Sequence, residues 1–222
     1  MGDTMAISSP HVARVAGWAL LALCATTMPA LAHHAMGGEV PQTFMQGLLS
    51  GLGHPVIGID HFAFIVAVGV AAALAGQLWT LTPVFAIGAF SGCLIHLGGV
   101  TLPMAELVIA ASVLLLGAII ASNRDVSPFA LGILFAGAGL FHGWAYGESI
   151  FGAEPTPLIA YLAGFTLIQL VIAISAGFAS RWMIESDGKT RTNVRLAGAV
   201  VAGIGLALFV GHIEGLLFPN VQ

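Results

Sequence analysis

The stretch Leu102–Ala121, LPMAELVIAASVLLLGAIIA, carries one ionisable residue, Glu106, in twenty positions. A helix of that length crosses the ~30 Å hydrocarbon core of a bilayer. Five further stretches read the same way: Val56–Gly76, Leu81–Gly98, Pro128–Tyr146, Pro157–Ser180 and Val194–Phe218. The whole chain of 222 residues is 58% hydrophobic and 7% charged, against about 25% charged for a soluble domain. Its mean hydropathy is +1.00. The expected fold is therefore all-α, a polytopic membrane bundle of six transmembrane helices following a cleaved signal peptide. The length leaves no room for a separate soluble domain.

The signal peptide is read from Arg14, the short apolar core Val15–Ala25, and the A-x-A site Ala30-Leu31-Ala32. The apolar core is too short to span; the alternative is an uncleaved seventh span. Residues 1–32 are assigned to the signal and 33–222 to the bundle, with His33 as the mature N-terminus. Cys24 leaves with the signal, so Cys93 is the sole thiol and no intramolecular disulfide forms.

Basic residues orient the bundle. Arg124 lies between spans three and four, and Arg181, Lys189, Arg191 and Arg195 surround the loop between spans five and six. The opposite loops, Gly99–Thr101 and Gly147–Thr156, lack Lys and Arg and carry Glu148 and Glu154. Both termini are thus expected on the outer, periplasmic side of a bacterial inner membrane. A negative outer face attracts cations. There is no P-loop and no internal repeat. Lipid is the implied macroscopic partner, and nucleic acid is not. Pro103, Pro128 and Pro157 sit near helix starts, where a missing N–H costs nothing. Among 29 glycines, Gly132, Gly137 and Gly139 are expected to let helices approach closely.

Ionisable groups gather near the outer ends of the spans. His54, Asp60 and His61 open the first, and His96 closes the second. Glu106 opens the third, His142 and Glu148 close the fourth, and His212 and Glu214 close the sixth. Such groups are costly in lipid and mark functional sites. Imidazole with carboxylate is a ligand set for borderline divalent metals. With Pro55 at a first helical position and His54 as cap, His54 and His61 are expected to share one helix face. Asp60 either binds metal or orients an imidazole. Trp144 and Tyr146 fit an interfacial aromatic belt. Cys93 and His96 point to one side of span two, with the cysteine read as small packing. Glu106 also suits the helix dipole. His212 and Glu214 face different ways, and Gln169 is a weaker candidate. His33 and His34, with a free amine, form a possible metal-capturing tail in an exposed segment reaching to Gln46. The inner half of each span is nearly devoid of ionisable groups.

The motif His54-Pro55-x-x-Gly58-x-Asp60-His61, together with Phe141-His142-Gly143-x-x-x-Gly147-Glu148 and the histidine after the signal, resembles the HupE/UreJ family of hydrogenase and urease accessory membrane proteins. The resemblance implies a nickel or cobalt permease, not an enzyme, that supplies metalloenzyme maturation. It implies no permanently bound cofactor, Ni²⁺ or Co²⁺ as cargo, and an indirect link to maturation proteins; a homo-oligomer is compatible with it. By resemblance, His54, Asp60, His61, His142 and Glu148 are the metal positions. Residues alone add His96, His33 and His212. Tyr146 departs from the family, which often has histidine there; Phe62 and Phe64 stand in place of leucines. The competing readings are a membrane metalloenzyme activating water, a haem-binding electron-transfer bundle, and an accessory protein that binds metal without moving it. The chain has no H-E-x-x-H.

Overall fold

A computed structural model describes residues 39–186 and 191–218. The proposed signal segment, His33 and His34 lie outside the described residues. Those described form only helices: α1 (Phe44–Ile57), α2 (Ile59–Leu74), α3 (Leu78–Leu97), α4 (Ala105–Ser122), α5 (Pro128–Glu148), α6 (Pro155–Ser186) and α7 (Thr192–Leu217). Each of α3 to α7 is long and apolar enough to cross a membrane. Large apolar side chains cover the outside, including Phe129, Trp182 and Ile87. In water such a surface would drive association; in lipid it is the ordinary exterior. The protein is a multi-pass helical membrane protein.

The first span departs from expectation. It is not one helix beginning at His54. It is α1 and α2, bent by 80° at Gly58, and only as a pair do they supply a sixth crossing. The backbone of Gly58 is extended (φ −72°, ψ 111°), ending α1 and capping α2. Pro55 lies inside the last turn of α1, and His54 belongs to that turn rather than to a helix start. His54 and His61 therefore do not share a helix face; they meet across the break. The exposed segment expected to reach Gln46 gives way to α1 at Phe44, under a reciprocal cap. Thr43 Oγ1 accepts from the Gln46 backbone N–H at 3.2 Å, and Gln46 Oε1 accepts from the Thr43 N–H at 3.2 Å. Thr-x-x-Gln before an apolar run is a legible helix start.

Elsewhere the helix starts follow local chemistry. Ser127 caps α5, with Pro128 at its first position. After Pro103, Met104 takes a left-handed conformation (φ 54°) and α4 begins at Ala105.

Close helix pairing comes from small residues. A Cβ on Gly143 would run into the Ala89 backbone, and one on Gly92 into that of Leu140, so α3 and α5 touch backbone to backbone. The same holds for Gly69 of α2 against Ala173 of α6, and for Gly117 of α4 against Ala202 of α7. Gly139 packs as expected, on Phe85 and Ala89, but Gly137 faces open space and Gly132 meets only the Leu81 side chain at 3.7 Å. Without a hydrophobic drive between helices in lipid, contact of this kind is what holds a bundle together.

The direction of the helices puts the ends of α1, α3, α5 and α7 with the starts of α2, α4 and α6. That end carries the histidines, with Asp60, Glu106 and Glu148. The opposite end is basic: Arg191 Nη1 donates to Asn123 Oδ1 at 3.3 Å, and Arg195 Nε to the Ala121 carbonyl at 3.1 Å.

Candidate functional site

Three imidazoles from three helices meet at the break in the first span. His54 comes from the end of α1, His61 from the first turn of α2, and His142 from the last third of α5. They are 3%, 3% and 0% exposed. The His54 and His61 rings lie 6.0 Å apart between centroids, and those of His61 and His142 lie 5.0 Å apart. Asp60, also buried, turns Oδ1 to the backbone N–H of His61 at 2.8 Å. A carboxylate suits a helix N-terminus, so Asp60 both starts α2 and brings negative charge beside the imidazoles.

Hydrogen bonds dictate which nitrogen carries each proton. Ser112 Oγ has one proton, which goes to the Ile109 carbonyl at 2.7 Å. Its contact with His142 Nε2 at 3.0 Å is therefore assigned as Nε2–H donating to Ser112 Oγ. His142 Nδ1 is then the acceptor, and His61 Nδ1–H donates to it across 2.8 Å. By the same logic, Tyr161 gives its proton to the Tyr146 carbonyl at 2.7 Å. His54 Nδ1–H donates to the Tyr161 hydroxyl oxygen at 3.0 Å, with Ser149 Oγ at 2.9 Å. His54 and His61 are thus held with protonated Nδ1, the tautomer whose Nε2 carries the lone pair that ligates a cation. Both nitrogens of His142 are engaged, so in this geometry it orients His61; it becomes a ligand only if the His61–His142 bond opens.

Aromatic rings wall the cluster. Tyr146 lies against His61 (4.5 Å) and His54 (5.0 Å), and Phe64 stacks on His142 at 4.4 Å. Tyr146 is therefore not an interfacial belt residue: it is wholly buried at the centre of the site. Trp144 is the peripheral one, donating Nε1–H to the Val100 carbonyl at 2.7 Å. Cys93 is buried in the apolar cluster that includes Tyr146 and Tyr161.

The other expected ligands are not brought to this cluster. His96 packs its ring on Trp144 (4.5 Å) and Phe151 (5.8 Å). Glu148, at the end of α5, is exposed. His212 faces Glu106 at 4.0 Å across α7 and α4, beside a cavity of about 290 Å³ that Met104 also lines. Among the described residues, no three His, Cys, Asp or Glu side chains stand ready to hold one metal ion. Ser112, Ser149 and Tyr161 are site residues that the sequence reading passed over. Lone hydroxyls are common in apolar helices, and they usually bond back to their own carbonyls.

Gly58 has a steric reason as well as a conformational one. A Cβ there would stand 2.8 Å from His61 Cδ2 and 3.0 Å from Asp60 Oδ1. Gly58→Ala is expected to push the His61 ring off its bond to His142 and, if the cluster takes a metal as the sequence motif leads one to expect, to weaken its binding by about tenfold. Equilibrium binding of ⁶³Ni to the detergent-solubilised protein, with a parallel melting curve, checks this. The melt should stay close to wild type, because the helix pairs do not involve Gly58.

The architecture defines a class: a polytopic helical membrane protein with a broken first span and a buried histidine cluster at the break. The model of the HupE / UreJ protein family matches residues 21–208. Protein HupE of Rhizobium leguminosarum bv. viciae is 32% identical over 194 residues, covering 85% of this chain and 95% of that protein. No solved structure matches. The chain belongs to the HupE/UreJ family of hydrogenase and urease accessory membrane proteins.

Proposed function

We propose that the protein is a permease that takes up a divalent transition-metal ion, Ni²⁺ or Co²⁺, across the bacterial inner membrane. The observation that carries this reading is the meeting of His54, His61 and His142, with Asp60, at an interruption in a span. Discontinuous helices with functional groups at the break are a recurring site architecture in secondary transporters. The end of α1 also turns its terminal carbonyls toward the break, a field that favours a cation. A cargo site must bind weakly enough to release. Two imidazole Nε2 atoms beside one carboxylate, without a closed triad of ligands, meet that demand better than a thiolate cage. The termini and the site end are periplasmic in this reading, and His33 and His34 deliver the ion once the signal is removed. The ion then serves hydrogenase or urease maturation.

The test is ⁶³Ni and ⁵⁷Co uptake into proteoliposomes containing the purified chain, with competing divalent ions. Uptake is expected to saturate and to fall as the outside pH is lowered through the histidine range. The sign follows because only neutral imidazole ligates, and protons compete with metal for the same nitrogen. Proteoliposomes no more permeable to either ion than empty vesicles would end the proposal.

A further inference from the structure

Around and beyond the imidazoles the helices are apolar, yet three buried oxygens lack any hydrogen-bond partner among the described residues: the Tyr146 hydroxyl, Thr166 Oγ1 and Gln169 Oε1. The Gln169 amide orientation is set, because Nε2 donates to the Phe165 carbonyl at 3.0 Å. The opposite flip would place two carbonyl oxygens against each other. Gln169 is fully buried, so its oxygen faces neither water nor lipid. A buried unpaired acceptor costs free energy that an apolar side chain of the same size would spare.

The position of these oxygens gives them a use. Tyr146 covers His54 and His61 with its ring. Phe165 lies against Tyr146 at 5.5 Å, and Gln169 is the next residue on that face of α6. Tyr161, which touches His54, heads the same stripe. Gln169 therefore stands about 12 Å further along the α6 axis than Tyr161. That displacement runs toward the basic end and covers much of the distance to mid-membrane. On the permease reading, a cation leaving the imidazoles travels in this direction and needs oxygen donors in place of the water it has shed.

We infer that Gln169 Oε1 is the oxygen-donor position that receives the divalent ion from the histidine cluster. This rests on the permease reading and extends it to the inner path. The decisive variant is Gln169→Met, which keeps the volume and removes the oxygen. It is expected to fold with a melting midpoint at or above wild type and to bind ⁶³Ni in detergent as wild type does. Its proteoliposome uptake is expected to fall about tenfold or more, the cost of one missing charge-assisted contact. Gln169→Glu, which keeps an acceptor oxygen, is expected to retain more uptake than Gln169→Met.

Unchanged uptake in Gln169→Met overturns the inference. So does a parallel loss of ⁶³Ni binding, which would place Gln169 behind the histidines and not beyond them. If Gln169→Met does not fold, Gln169→Glu decides: uptake abolished in a folded Gln169→Glu chain overturns the assignment. A wild-type chain that takes up no nickel removes the permease reading and this step together. That outcome is distinct from wild-type uptake that persists in Gln169→Met.

Discussion

His61→Ala is expected to reduce ⁶³Ni uptake by about ten- to a hundredfold or more, the range seen when even a supporting residue of a metal site is removed. His61 is the centre of the cluster. It accepts its place from Asp60 through a 2.8 Å backbone contact, and donates to His142 across 2.8 Å. It also lies 6.0 Å from the His54 ring. Alanine removes one of the two Nε2 donors and leaves His142 Nδ1, a buried acceptor, without its donor. The comparison that gives the result meaning is Glu148→Gln. Glu148 belongs to a motif shared with the family resemblance, but it is exposed at the end of α5. Its uptake should stay close to wild type. Equal losses in the two variants, measured on equal amounts of reconstituted protein, would sink the division between a buried cluster and a bystander carboxylate.

The second large effect is on stability. Gly143→Leu places atoms where the Ala89 backbone now stands. Neither backbone can yield without separating α3 from α5. Overpacking in a dense interior costs about 1–3 kcal/mol or more, and here the lost contact is the one that holds His142 in place. A lowered unfolding midpoint in detergent and a loss of monodisperse protein are expected. Gly137→Ala is the matched control on the same helix. A Cβ at Gly137 meets nothing, so the change should be neutral or stabilising by up to about 1 kcal/mol through helix propensity alone. Identical melts for the two variants would refute the role given to close glycine packing.

Much of this was legible in one dimension. Apolar runs of span length identify the bundle because lipid leaves the backbone few ways to satisfy its own polar groups. Five of the six expected spans appear as single helices, four within three residues of their predicted limits and α6 running six residues past Ser180. Charge placement also carried over: the span ends that hold histidines lie on one side, and Arg191 and Arg195 lie on the other. The His54 to His61 motif was recognisable as a site because several ionisable groups open an otherwise apolar stretch.

What the linear pattern could not decide is which of those groups meet. Periodicity placed His54 and His61 on a single helix face, and the bend at Gly58 separated them onto two helices and rejoined them in space. A glycine in an extended conformation is not distinguishable in sequence from one that packs: Gly58 breaks a span, whereas Gly143 sits inside a helix against the Ala89 backbone. Tyr146 read as a belt residue because aromatic residues near a span end usually are; its burial against two imidazoles depends on α1 crossing α6 there. The helical bundle, its span count and the gathering of histidines at one end of it followed from composition, since lipid imposes its limits on every residue alike. The convergence of three imidazoles, the proton positions set by Ser112 and Tyr161, and the exclusion of Glu148 and His212 followed from helix packing, where contacts between distant residues determine the partners.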